Sequence, residues 1–77
     1  MIDRKLLLEL LLDVCPDVDF EKEQSLIEDG LLESLDLVAV VTAMIDTFDV
    51  EITVDDLMPE NFNSMDAMAA MLEQKLK

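Results

Sequence analysis

The chain contains no histidine, tryptophan or tyrosine, one cysteine, one glycine and two prolines. Each scarcity excludes something. Without histidine no side chain has an unperturbed pKa suited to general base work near neutral pH, and no Ser-His-Asp or Cys-His constellation can be assembled. A stand-alone enzyme is therefore disfavoured. The single Cys15 has no partner for an internal disulfide, which fits a reducing compartment. It follows an apolar run and precedes Pro16, the setting of a small core residue at a helix end rather than of a reactive thiol. Gly30 alone makes no phosphate-binding loop. The acids Asp46, Asp49, Glu51, Asp55 and Asp56 lack the spacing and central glycine of a calcium loop, so no metal site is expected.

Positive charge is also scarce. Arg4, Lys5, Lys22, Lys75 and Lys77 are the only bases against 19 acids, for a net charge of −14, and none lies between Glu23 and Gln74. Such a surface repels nucleic acid and anionic lipid. It attracts basic patches on other proteins and speeds encounter with them, besides keeping a small apolar domain soluble. The apolar stretch from Leu6 to Leu12 is interrupted by Glu9 and ends in Asp13. It reads as neither a signal peptide nor a membrane span, and a cytoplasmic protein without membrane insertion is expected.

What is present is apolar material in helical order. At 77 residues and 52% hydrophobic composition, the chain suits one domain, residues 1–77, with a modest core and no deep enclosed active site. The pattern predicts an all-α fold of three longer helices and one short one. The first runs from Ile2 or Asp3 to Val14, capped by Asp3 and ended by Pro16, with Leu7, Leu10, Leu11 and Val14 as its core stripe. A long connection, residues 15–33, follows. Loops of this length are uncommon unless functional. Val18, Phe20, Leu26, Ile27, Leu31 and Leu32 are expected to pin it, with Ser25 capping a single turn and Gly30 supplying a positive φ or tight turn.

The second helix is predicted from Ser34, as its N-cap, to Phe48. Leu37, Val40, Val41, Met44 and Phe48 form its core stripe, while Leu35, Val38 and Thr42 form another. This is more apolar surface than one small core uses, which points to a partner-binding face. Val50, Ile52 and Val54 alternate like a strand, but no other segment offers a ladder partner, so an extended connection is expected. A short helix over Val54 to Met58 would be stopped by Pro59. The last helix starts at Ser64, faces Met65, Met68, Ala69, Leu72 and Leu76 inward, and closes with Lys75 and Lys77 at its negative end.

Ser34 is the one residue whose placement suggests chemistry. A hydroxyl at a helix mouth is accessible to another enzyme, and a phosphodiester there is favoured by free N–H groups and the positive end of the helix dipole. Position alone favours a plain capping role, since capping serines are common.

The surrounding residues carry further information. The run Gly30-Leu31-Leu32-Glu33-Ser34-Leu35-Asp36-Leu37-Val38 resembles the acyl and peptidyl carrier protein family, whose attachment motif is Asp-Ser-Leu or a close variant. The resemblance implies a four-helix bundle of acyl carrier type with a long loop between helices I and II. It further implies that Ser34 receives 4'-phosphopantetheine from coenzyme A through a separate Mg-dependent phosphopantetheinyl transferase. Glu33 stands where the family usually has Asp, and Asp36 matches an acid common there. Ala39 and Ile45 stand where fatty acid carriers often have Glu, so docking is expected to lean on Leu35, Val38 and Thr42, with Glu33, Asp36 and Asp46 supplying charge.

The implied partners are the transferase, an acyl- or aminoacyl-activating ligase, and an acyltransferase or synthase, served by a monomeric, non-catalytic carrier. The Gly-Leu-Leu-acid-Ser run and the Phe62-Asn63-Ser64 approach to the last helix are similar to free-standing D-alanyl carriers. A fatty acyl or polyketide chain is the alternative cargo. A reading from another class is an acidic helical interaction module that carries nothing and would survive Ser34→Ala.

Overall fold

A computed structural model describes residues 2–76. Among the described residues the fold is all-helical and has no strand. Its elements are α1 (Arg4–Val14), α2 (Ser34–Phe48), a 3-10 turn (Val54–Asp56), α3 (Pro59–Phe62) and α4 (Met65–Lys75). Helix α1 packs against α2 and α4, and the short α3 packs on α4. No helix of the described residues is long and apolar enough to cross a membrane.

Local chemistry sets the helix ends. The Asp3 carboxylate accepts the N–H groups of Lys5 and Leu6, and Ser64 Oγ accepts that of Ala67, so both outer helices start on side-chain caps. Helix α2 ends at Asp49, whose φ of 53° is left-handed. Aspartate tolerates this conformation better than bulkier residues, and its N–H donates back to Ile45 O. Arg4 pairs with Asp66, tying the start of α1 to the start of α4. Lys75 lies in the last turn of α4; Lys77 lies outside the described residues.

The core is one cluster drawn from every part of the chain. Leu7, Leu10 and Leu11 of α1, Val40 and Met44 of α2, Phe62 of α3, and Met68, Ala69, Met71 and Leu72 of α4 are buried. Leu37, Val41 and Phe48 pack against this cluster half-buried, as do Val14 and Met65. Leu76 was expected inward but is exposed: it is the C-cap of α4, still in helical conformation with its N–H on Leu72 O, and it lies past the last buried residue of the helix, Leu72. Met71 is buried although it lies off the predicted stripe. The alternating segment is an extended connection: Val50 is buried, whereas Val54 is 83% exposed.

Pro59 corrects the reading of the short helix. It does not stop a helix over Val54 to Met58; it occupies the first position of α3, and only a 3-10 turn precedes it. Proline lacks the N–H that a first helical residue leaves unbonded in any case, and its fixed φ suits a helix start.

The long connection is folded onto the helices. Phe20, Leu26 and Leu32 are buried, while Leu31, counted among its anchors, is exposed. Residues 25–31 form a helical turn: Asp29 N–H donates to Ser25 O, Gly30 N–H to Ile27 O and Leu31 N–H to Leu26 O. The last two bonds, with Gly30 at φ 75°, make a Schellman closure. The Ser25 backbone carbonyl, not a side-chain cap, begins this turn.

Asn63 anchors that turn from far along the chain. Its carbonyl accepts Leu26 N–H at 2.8 Å, its Oδ1 accepts Ile27 N–H at 3.0 Å and Glu28 N–H at 3.4 Å, and its Nδ2 donates to Glu28 Oε1. The side chain thus caps a helical turn 36 residues away. Asn63→Ala is expected to lower stability by about 1–2 kcal/mol, the loss of a cap. Urea unfolding of the variant beside wild type measures this.

Charge acts on the whole molecule. The chain carries −14 in a body of 30 × 25 × 18 Å. At 0.01 M salt the screening length is about 30 Å, so every acid repels every other; at 0.15 M it is about 8 Å. Thermal melts in increasing NaCl are expected to show Tm rising by about 4–8 °C, as if salt relieved ~1 kcal/mol of self-repulsion. A flat profile would show that the repulsion is as strong in the unfolded chain.

Candidate functional site

The site is built where the long connection turns into α2. Ser34 is not the N-cap. Glu33 holds that position, with φ −92° and ψ 174°, and its carbonyl accepts Leu37 N–H at 2.8 Å. The Glu33 N–H donates to Asp36 Oδ2 at 3.3 Å, so an acid three residues on closes the helix start. Ser34 becomes the first helical residue, exposed, and among the described residues its hydroxyl has no hydrogen-bond partner. Serine is intrinsically the better cap, but the Glu33–Asp36 pairing supplies this function one residue earlier.

The consequences for chemistry are direct. The N–H groups at the first positions of an α-helix have no acceptor within it, so Ser34 and Leu35 point unpaired donors and the positive end of the dipole outward. A phosphodiester on Ser34 Oγ would sit against these donors without displacing any existing bond of the serine. The residues therefore fit a covalently attached phosphopantetheine. Glu33 and Asp36 limit the attraction, and no base of the sequence lies near in the chain to offset them.

Asp36 has a second neighbour. The Cys15 thiol at the end of α1 lies beside its carboxylate. Burial pushes the thiol above its ordinary range, and the negative Asp36 carboxylate pushes it further. Cys15 is thereby kept protonated and poorly nucleophilic, in keeping with the structural role expected of it.

From Ser34 the helix carries an exposed apolar face. Leu35 is 85% and Val38 63% exposed. Ser34, Val38 and Thr42 follow at i, i+4 and i+8, so they line one side of α2. Asp46 extends that line and is exposed. Asp36 differs from the other predicted interface acids: it is half-buried and engaged by Glu33 N–H, so it shapes the helix start rather than offering a free charge. Thr42 Oγ1 donates to Val38 O at 2.9 Å, which withdraws its donor from the surface.

An apolar groove of about 210 Å³ opens along this face, lined by Leu37, Val38, Val41 and Thr42 of α2 and by Leu57 beyond the 3-10 turn. Leu57 was not singled out from the sequence. Its only local signal is an apolar residue between acids and Met58-Pro59, which does not tell an anchor from a groove wall.

No family model, curated protein or solved structure matches the chain. The functional reading therefore rests on the geometry above and on the motif around Ser34.

Proposed function

We propose that this protein is a carrier of acyl carrier type, loaded on Ser34 with 4'-phosphopantetheine by a separate transferase. The single observation that carries the reading is the state of Ser34: an exposed hydroxyl, free of any capping bond, in the first turn of a helix that continues into an exposed apolar face. The arrangement of α1, a long folded connection, α2, a short α3 and α4 supports the bundle expected of such a carrier. Once attached, the group supplies a thiol that holds acyl or aminoacyl cargo as a thioester. The protein's own part is to present Ser34, to offer Leu35 and Val38 to partner enzymes, and to keep Cys15 from competing as a thiol. Aminoacyl cargo such as D-alanine fits the motif; an acyl chain fits the groove one helical turn away.

Thiol counting tests the reading. The sequence holds one cysteine, so protein co-expressed with a broad-specificity transferase, then denatured and titrated with a thiol reagent, should give two thiols per chain. One thiol under these conditions would count against it. Leu35 is expected to matter for docking alone. Leu35→Ala should raise the transferase KM by ~10-fold, the loss of a small interface anchor, and leave Tm unchanged because the side chain is 85% exposed. Steady-state loading kinetics beside a thermal melt measure both.

A further inference from the structure

The junction between α3 and α4 reaches back to the segment that leads into Ser34. Asn63 stands there between two fixed residues. Phe62 before it is fully buried, and Ser64 after it is buried and caps α4 through its Oγ. The rest of that end is tied as well. Asn61 Nδ2 donates to Asp56 O at 2.9 Å, and Lys75 Nζ donates to the Asp56 carboxylate at 2.5 Å. From this anchor Asn63 bonds the consecutive residues Leu26, Ile27 and Glu28.

Leu26 passes the hold along the chain. Its N–H donates to Asn63 O, and its own carbonyl accepts Leu31 N–H at 2.9 Å and Leu32 N–H at 3.0 Å. Leu32 directly precedes Glu33, the cap of α2, and Ser34 follows. Between the buried side chains of Leu26 and Leu32 the segment has little core contact: Ile27 is half-buried, and Glu28, Asp29, Gly30 and Leu31 are exposed. Its path is set by backbone bonds and by Asn63 more than by packing. The body of α2 is held separately, against α1.

We infer that Asn63 is a positioning residue for the loading of Ser34: its side-chain amide holds residues 26–32 against the α3–α4 junction and so fixes the approach along which a transferase meets the hydroxyl. The role rests on the carrier reading proposed above. An amide meets both demands of the place, since Oδ1 accepts the Ile27 and Glu28 N–H groups while Nδ2 donates to the Glu28 carboxylate. The held segment is the state a transferase binds. A chain held for only part of the time shows an affinity reduced by that fraction. The step at Ser34 Oγ is unaffected, because the Asp36 carboxylate closes the start of α2 without Asn63. Loss of the amide therefore raises KM and leaves kcat alone.

Asn63→Ala and Asn63→Asp test this in the unmodified chain, at a temperature well below the melt. Both keep the backbone carbonyl that takes Leu26 N–H and every core side chain, so the fold persists. Each is expected to speed amide exchange at Leu31 and Leu32 about five-fold relative to Leu11 in α1, the effect of a lost cap. With coenzyme A, Mg and a broad-specificity transferase, each should raise the KM for loading by about three- to ten-fold at unchanged kcat. Adding Glu28→Gln to Asn63→Asp should restore both values, because the glutamine amide then donates to the carboxylate and the same bond runs in reverse. Ser64→Ala removes the neighbouring cap of α4, lowers stability by a comparable amount, and should leave both values at wild type. A wild type that loads beside Asn63 variants of unchanged KM overturns the positioning role alone. So does a Ser64→Ala that reproduces the rise, or a double variant that restores nothing. A folded wild type that no transferase loads overturns the carrier reading and the positioning role together.

Discussion

Ser34→Ala will accept no phosphopantetheine and will support no thioester, while its Tm will stay within about 4 °C of wild type. Both halves follow from the same geometry. The hydroxyl is the proposed point of attachment, so its removal leaves no oxygen for the phosphodiester. Yet Ser34 occupies the first helical position and not the cap, is exposed, and among the described residues bonds to nothing. A surface substitution away from caps and core shifts stability by ~0.5 kcal/mol or less, which for a domain of this size is about 2–4 °C. Had Ser34 been the N-cap, the same change would have removed about 1 kcal/mol or more. Intact mass after incubation with transferase, paired with a thermal melt, separates these cases. A large fall in Tm would place the serine in the helix cap after all and weaken the functional reading.

Phe62→Ala should remove a large part of the chain's stability. Phe62 is fully buried at the end of the four-residue α3, which packs on α4. Truncating a buried phenylalanine costs about 3–5 kcal/mol in transfer and cavity terms. A chain of 77 residues has a total stability of only ~4–12 kcal/mol. The substitution also detaches the support of Asn63, the next residue, which caps the turn in the long connection. Loss of Phe62 is therefore expected to loosen residues 25–31 as well as α3. A urea midpoint well below that of wild type is the expected outcome. A variant that keeps most of its stability would show that neighbouring methionines refill the space.

How far the sequence was informative differs from element to element. Helix α1 was legible because Asp3 caps it and the leucine stripe repeats, and α2 because its apolar periodicity runs uninterrupted to Phe48. The absence of a strand among the described residues was legible for a topological reason, since one alternating segment has nothing to pair with. Pro59 was ambiguous because the same residue that cannot continue a helix is well suited to start one. The cap at Ser34 was misplaced by one residue because intrinsic preference favours serine, while the Asp36 carboxylate reaching Glu33 N–H made the earlier position the cap. Asp49 in the left-handed region carried no sequence signal at all.

The site divides the same way. Leu35 and Val38 could be read as a surplus apolar stripe, since one small core cannot use every side of α2, and both are exposed. Leu57, Asn63 and the Asp56–Lys75 tie could not be read. Asn63 and the Asp56–Lys75 tie reach across 36 and 19 residues of chain, Leu57 lines the groove with α2 residues that lie far before it in the chain, and no periodicity encodes such contacts. The same holds for Cys15 and Asp36, which meet only because α1 and α2 pack together.

The central claim, that Ser34 is a loading site, has one direct test. The purified protein is incubated with coenzyme A, Mg and a broad-specificity phosphopantetheinyl transferase, and its intact mass is measured, with fragmentation to locate any added group. The account predicts a gain of one phosphopantetheinyl group, located on Ser34. A folded protein that gains nothing from several transferases, or gains the group elsewhere, would contradict it and leave an acidic helical interaction module, with Glu33 in place of the usual aspartate as the first residue to revert.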